Sequence, residues 1–264
     1  MIQEKAGIGY IELPALKQTG VIHAFVGRTG GVSQGAFQGL NLGLRTEDRP
    51  EAVAENDRRF RAAFGIEKLI RVRQVHGREV LVVDRAVSDE KAWWGRECDG
   101  IITDQPGVAL AVLTADCVPI VIFDPVKRVA GIAHAGWRGA CHGAAAAVVQ
   151  AMAARFGSKP PDLWAGIGPG IGPCCYEVDA PVIQAVRKAF GAWAAGLLEP
   201  AQDGRMFLDL FEANRRNLVK AGMAVNRIER AGLCTACRAE LFFSHRRDQG
   251  RTGRQISLVM VARA

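Results

Sequence analysis

The feature that most constrains this chain is a series of short apolar runs rich in β-branched residues, separated by stretches of helical periodicity. Strands are expected near 21–26 (VIHAFV), 69–75 (LIRVRQV), 79–84 (EVLVVD), 109–114 (ALAVLT), 119–123 (PIVIF), 129–133 (VAGIA), 163–167 (LWAGI) and 256–261 (ISLVMV). Helices are expected over 51–64, 140–156, 180–190 and 210–221. Pro50 opens the first and Gly65 lies just past its end. Asp179 is an N-cap for the third, and Asp209 with Glu212 forms a capping-box-like pair for the fourth. Strands interleaved with helices, some strands in hairpin-like pairs, give a layered α/β domain with mixed sheets. The 264 residues, 49% of them hydrophobic, suffice for a large core. With no repeat, linker or low-complexity tract, residues 1–264 read as one domain.

The net charge of +7 is moderately basic and suits anionic ligands such as phosphate. The arginines are scattered and there is no lysine-rich tail, so no nucleic-acid partner is expected. The opening MIQEKAGIGYIELPAL has no signal-peptide pattern, and the longest apolar runs, GVALAVL and IVIF, are too short to span a bilayer. A cytoplasmic protein without a membrane partner is therefore expected. The seven cysteines are read as reduced thiols, metal ligands or nucleophiles rather than a disulfide framework. Cys234 and Cys237 form a C-x-x-C with no second such pair, so no structural zinc is expected there, and the adjacent Cys174 and Cys175 fit a tight turn.

Polar residues interrupt three of the apolar runs. RVRQVHG ends in His76, AVLTADCVP places Asp116 and Cys117 after a buried-type strand, and GIAHAG ends in His134. Strand ends are where α/β proteins place ligands and catalytic groups. His, Cys and His from separate loops can form a three-ligand zinc site with an open fourth position, which lowers the pKa of a bound water to about 7. The spacing matches no zinc finger, and the competing reading is two strand-capping histidines and a small core cysteine. Gly77, Gly136 and Gly139 bracket these positions and permit sharp turns. Arg138, at the start of an alanine-rich helix, suits an anion or a surface ion pair. Trp137 reads as a wedge between helix and sheet.

Six segments together resemble a known family: FVGRTGGVSQGAFQGLNLG (25–43), RQVHG (73–77), CDGIITDQPGVALAVLTADCVPIVIFDP (98–125), HAGWRG (134–139), GIGPGIGPCCYEV (166–178) and CTACRAELFFSHRRDQGRTGRQISLVM (234–260). They are similar to the YfiH-like, or laccase-domain, family, also called multicopper polyphenol oxidases, which includes bacterial purine nucleoside phosphorylases. The resemblance implies a four-layer sandwich with two mixed β-sheets between helices. It implies a zinc ion held by His76, Cys117 and His134. It implies cytosolic phosphorolysis of adenosine, inosine and S-methyl-5'-thioadenosine, with adenosine deaminase activity. Small-molecule purine nucleosides and phosphate are the partners it implies. Gly27 stands where the family often has Thr, and His245 where an aromatic is common, so His245 bears on substrate preference if it faces the pocket.

On that reading Asp116 either moves protons or orients a ligand, the latter favoured. Arg28, Ser33, Arg246, Arg247 and Arg254 are candidate anion contacts, against a solvated basic loop for HRRDQGRTGR. Asn41 bonds the ribose or closes a turn, the turn favoured. The 85–99 segment reads as a loop in which Trp93 and Trp94 either form a lid over a flat base or anchor the loop, the anchor favoured, and His23 and His142 are left as structural. Two alternatives stand beside the phosphorylase. One is a Cys–His hydrolase with Cys117 as nucleophile, editing peptidoglycan precursors. The other is a copper-binding, laccase-like polyphenol oxidase with Cu(2+) in the same site. Five histidines and no His-x-His pair argue against a multicopper cluster.

Overall fold

The computed structural model describes residues 2–84 and 89–263. The first half of the chain contributes strands β1 (Ile2–Lys5), β2 (Ile8–Ile11), β3 (Ile22–Val26), β4 (Lys68–Ile70), β5 (Val80–Val83), β6 (Gly100–Thr103), β7 (Val108–Thr114), β8 (Val118–Asp124) and β9 (Val129–Ala135). The second half adds β10 (Trp164–Ile167), β11 (Glu177–Val178), β12 (Leu198–Pro200), β13 (Met206–Leu208), β14 (Ile228–Arg230) and β15 (Gln255–Met260). The helices are α1 (Pro14–Lys17), α2 (Pro50–Phe64), α3 (Trp137–His142), α4 (Ala144–Phe156), α5 (Ala180–Phe190) and α6 (Leu210–Lys220).

Two six-stranded sheets carry the fold, with orders β1-β2-β3-β15-β7-β4 and β14-β10-β8-β9-β6-β5. Both are mixed: β4 runs parallel to β7, β10 to β14 and β5 to β6, and the remaining pairs are antiparallel. A small sheet, β11-β13-β12, flanks them. Side chains alternate across each strand, and that sorts the apolar residues into three layers of core. On β7, Val108, Leu110 and Val112 face the second sheet, while Ala109 and Ala111 face α2 through Phe60 and Ala63. On β8, Val121 and Phe123 face the first sheet, while Val118, Ile120 and Ile122 meet α4 and α6 through Val148, Met152 and Leu218. The result is a helix–sheet–sheet–helix sandwich, each buried Leu, Val or Ile contributing about 1.5–3 kcal/mol of transfer free energy. No helix among the described residues is long and apolar enough to cross a membrane.

Several elements differ from the sequence expectation, each for a local reason. The strand expected over 69–75 leaves the sheet after Ile70. Beyond it the Gln74 side-chain amide takes over the pairing, donating to the Leu113 carbonyl and accepting from its N–H, both at 2.8 Å. The helix expected over 140–156 is two helices, because Gly143 adopts a left-handed φ of 74° between α3 and α4. Asp209 caps α6 by accepting from the Glu212 N–H at 2.9 Å, but Glu212 does not reach back. Its carboxylate is taken by Arg215 and Arg216. Pro50, Gly65 and Asp179 bound their helices as expected. Of the 85–99 loop, residues 85–88 lie outside the described residues. Trp93 packs on the inter-sheet core.

His23, only 2% exposed between the sheets, accepts a hydrogen bond from the Leu13 N–H through Nε2 at 3.0 Å. Burial disfavours its charged form and lowers its pKa to about 4. The unfolded chain therefore binds more protons below its ordinary value of about 6.5, and stability falls as pH drops from about 6.5 toward 4. The loss amounts to about 3 kcal/mol for this group. Thermal melts of the wild type and His23→Gln between pH 7 and pH 4 should show a shallower acid decline for the variant; parallel curves would refute this assignment.

Candidate active site

The site lies where the loop ends of the second sheet meet the first. His134 is the penultimate residue of β9, opposite Pro119 of β8. Alternation points it, with Ala130 and Ile132, toward the space between the sheets, while Ala133 and Ala135 face the helices. The pairing of β6 with β9 brings the residue preceding β6, Asp99, alongside it. Asp99 is fully buried, and its Oδ1 lies 2.8 Å from His134 Nδ1. The same carboxylate accepts the backbone N–H groups of Val75, His76 and Gly77 at 3.2, 3.0 and 2.6 Å. One buried acid thus orients one imidazole and holds the loop that carries the other. Burial pushes the Asp99 carboxyl up, but the hydrogen bonds from His134 and the loop amides hold it below the usual range.

His76 was expected at a strand end and instead sits on this loop with φ 60°. Asp116, in the turn between β7 and β8, has φ 88°. Both backbones are in the left-handed region, which is sparsely populated outside glycine and tolerated only where surrounding bonds impose it. The turn delivers Cys117, and the donor atoms of His76, Cys117 and His134 all lie within 4.8 Å of one another. The two imidazole centroids are 4.9 Å apart. Burial pushes the Cys117 thiol up, but the neighbouring His134 imidazole and hydrogen bonds from both histidines outweigh it and bring the thiol down. Burial opposes charge on His134, yet Cys117 and Asp99 raise its pKa. Gly136 leaves the room this needs: a Cβ there would meet Cys117 Sγ at 2.7 Å and His76 Nδ1 at 3.4 Å. Two imidazoles and a thiol that ionises readily, one imidazole steered by a carboxylate, form a donor set suited to a metal ion.

This set forms one wall of a cavity of about 850 Å3. Six arginines also line it: Arg45, Arg71, Arg73, Arg138, Arg246 and Arg254. Two of them are paired with carboxylates, Arg71 with Asp57 and Arg73 with Glu97. Arg246 and Arg254 bond only carbonyls through their guanidinium groups, those of Glu177 and of Thr252 and Gly253, and Arg138 lies over the Trp137 ring at 4.2 Å. None of these three is ion-paired with a carboxylate among the described residues, although Cys117 and Asp116 lie close enough to Arg254 to favour its charge. Trp94, Trp137, Tyr176 and His245 add flat or polar surfaces to the lining. Burial, with the Cys117 sulfur nearby, holds the Tyr176 phenol well above its usual range, so it remains a proton donor.

Several residues expected at the site lie outside this lining. Arg28 donates to the Gln38 and Ala239 carbonyls and stacks on Phe243 at 4.6 Å. Ser33 donates to Asp48 and accepts from Asn56. Asn41, fully buried, donates to Thr46 and Asp48 and accepts from the Gly43 and Arg254 N–H groups. Arg247 donates to the Thr235 and Phe242 carbonyls and pairs with Asp248. All four fasten loops around the cavity. Asp116 has both carboxylate oxygens engaged, Oδ1 by the Thr235 hydroxyl at 2.6 Å and Oδ2 by the Arg246 N–H at 2.7 Å. Sequence reasoning missed Asp99, Tyr176 and Arg71, and the lining includes Trp94, weighed there as a lid residue or a loop anchor. An acid directly before the buried strand GIIT was the one available signal for Asp99, and its partner becomes visible only from strand pairing.

Fold and site together define a layered α/β protein with a His–Cys–His centre at the base of an arginine-rimmed cavity. The chain belongs to the family described as multi-copper polyphenol oxidoreductase laccase, whose model matches residues 22–262. It is 40% identical over 256 residues to a purine nucleoside phosphorylase of Deinococcus radiodurans, covering 95% of this chain and 94% of the relative. It is 37% identical over 257 residues to the purine nucleoside phosphorylase YlmD of Geobacillus stearothermophilus, covering 95% and 94%. The crystal structure of YlmD from Geobacillus stearothermophilus matches it with a TM-score of 0.91 at 36% identity, covering 99% of this chain and 98% of that one.

Asp99→Asn removes the charge that steers His134, and the affinity of this donor set for a divalent metal ion in a chelator-competition titration should fall roughly 10- to 100-fold with the circular dichroism unchanged. Unaltered affinity would show that Asp99 serves folding alone.

Proposed function

We propose that the protein is a zinc-dependent purine nucleoside phosphorylase acting on adenosine, inosine and S-methyl-5'-thioadenosine, with adenosine deaminase activity. The observation that carries this reading is the coexistence, in one cavity, of the His76–Cys117–His134 donor set and the guanidinium groups of Arg138, Arg246 and Arg254, which form no ion pair with a carboxylate among the described residues. The relatives named purine nucleoside phosphorylase support it. His76, Cys117 and His134 hold the ion, and Asp99 orients His134. When bound, zinc would supply Lewis acidity toward a water used in deamination of the purine.

Phosphorolysis asks the chain to hold two reactants in line. A phosphate oxygen attacks the anomeric carbon of the sugar while the glycosidic C–N bond breaks; the electron pair leaves with the purine, which takes up a proton. Arg138, Arg246 and Arg254 bind and orient the phosphate. Trp94, Trp137 and Tyr176 offer surfaces for the flat base, and the Tyr176 phenol is placed to give a hydrogen bond or proton to the departing purine. His245 lines the cavity and bears on which nucleoside is preferred. Asp116, with both oxygens occupied, acts as a positioning residue for the Arg246 segment rather than as a proton carrier.

The three groups Cys117, His134 and Asp99 also favour a second reading, a Cys–His hydrolase in which Cys117 attacks a peptidoglycan precursor. A laccase reading is short of histidine: among the described residues the metal-competent groups are His76–Cys117–His134 and a four-cysteine cluster, while His23 is buried in the core, His142 lies on α3 and His245 lines the cavity outside both groups.

Adenosine given to the purified protein should yield adenine and ribose 1-phosphate only when phosphate is present, and inosine in either condition, as read by mass spectrometry. Untouched adenosine with zinc bound would overturn the nucleoside reading, and a covalent adduct on Cys117 would favour the hydrolase. His134→Ala should lose turnover together with the zinc held by His76 and Cys117. Arg254→Ala should raise the KM for phosphate about 10- to 100-fold, the loss of one charge-assisted contact; an unchanged KM would remove Arg254 from the phosphate site.

A further inference from the structure

Two loops remote in sequence bring four thiols together. Cys174 and Cys175 follow β10, and Cys234 and Cys237 follow β14, the strand that pairs with β10. The four sulfurs lie within 4.8 Å of one another. Cys237 Sγ is 3.5 Å from Cys174 Sγ and 3.4 Å from Cys175 Sγ, and Cys234 Sγ accepts the Gly172 N–H at 3.2 Å. None is in a disulfide. The sequence offered only one C-x-x-C, and the missing second pair is the vicinal Cys174–Cys175, which no spacing rule connects to it.

We propose that Cys174, Cys175, Cys234 and Cys237 form a structural zinc site, separate from the His76–Cys117–His134 centre. A tetrahedral ion with Zn–S bonds of about 2.3 Å holds its sulfurs about 3.8 Å apart, the spacing this cluster approximates. A disulfide demands closure of a pair to about 2.05 Å, whereas Cys237 stands at 3.5 and 3.4 Å from two partners. An all-sulfur donor set selects zinc over magnesium or calcium. Cys174 and Cys237 are exposed, so the ion has an entry path. On binding, the thiols release their protons to solvent and the ion stays divalent, so no oxidant or reductant is involved. Arg247, which grips the carbonyls of Thr235 and Ala236 inside the C-x-x-C segment, brings positive charge beside the resulting dianionic centre.

The site matters for the cavity because one loop lines it through Ile171 and Tyr176 and the other bonds Asp116 in its wall. Cys175 precedes Tyr176, over whose ring Arg246 lies at 5.3 Å. Cys234 precedes Thr235, which donates its N–H to the Gly170 carbonyl and its hydroxyl to Asp116, the neighbour of Cys117. An ion clamping the four sulfurs sets the position of Tyr176 and Asp116 together.

The test is the zinc content per chain of the full-length protein purified under reducing conditions, measured by plasma mass spectrometry. Wild type should carry about two equivalents, and His134→Ala should keep about one. The Cys174→Ser/Cys237→Ser variant should lose one equivalent and keep the other. Should that variant fail to fold, cobalt-substituted His134→Ala serves instead, and it should show an intense thiolate-to-cobalt charge-transfer band. His134→Ala without zinc, a cobalt spectrum lacking thiolate charge transfer, iron in place of zinc, or a disulfide among the four cysteines of the wild type would each overturn the proposal. None of these readouts uses turnover, so the result is independent of the nucleoside chemistry.

Discussion

A single buried carboxylate organises the site. Asp99 has no access to solvent, so its charge persists only because His134 and three successive backbone amides surround it. Each of those contacts restrains something else. The amides force the 75–77 loop into the conformation that turns His76, at a left-handed φ, toward the cavity. The imidazole contact leaves one ring nitrogen of His134 directed away from Asp99, toward Cys117. Removing the acid would release both histidines at once, although they lie on unconnected segments. Local backbone strain at His76 and Asp116 is tolerated because the surrounding hydrogen bonds over-determine it.

The sandwich supplies the rigidity that this arrangement needs. β8 and β9 sit at the centre of the second sheet, packed on the first sheet from one side and on α4 and α6 from the other. Every residue of both strands is buried. Functional side chains placed at the ends of such strands inherit their precision, and the looser loops carry the contacts that vary with substrate. Gly136 illustrates how tight the space is, since even a methyl group there collides with the Cys117 sulfur.

Arginine divides between two duties. Arg28 and Arg247 spend their donors on backbone carbonyls and aromatic or acidic neighbours, closing loops that would otherwise leave polar groups unmatched. Arg138, Arg246 and Arg254 line the cavity and form no ion pair with a carboxylate among the described residues. The division follows the surroundings and not the residue type, for Arg246 and Arg247 are adjacent in the chain. A basic loop read as a string cannot be apportioned this way.

The sequence by itself determined the layered α/β class, the central strands, the helix bounds set by Pro50, Gly65 and Asp179, and the choice of His76, Cys117 and His134 as the polar groups beside apolar runs. Those features are local: hydrophobic period, cap chemistry and a polar residue at the end of an apolar run are written in neighbouring positions. The family resemblance was equally legible, because its motifs are contiguous. Only tertiary structure decided the rest. Asp99 meets His134 through the pairing of β6 with β9, and the strand expected through 75 ends at Ile70 because the Gln74 side chain replaces it. Arg28, Ser33, Asn41 and Arg247 became loop fasteners, while Tyr176, Arg71 and Trp94 entered the cavity. The four cysteines met only because β10 and β14 lie side by side. Contacts between residues tens of positions apart depend on sheet order, and sheet order follows from the summed packing of all layers rather than from any short stretch of chain.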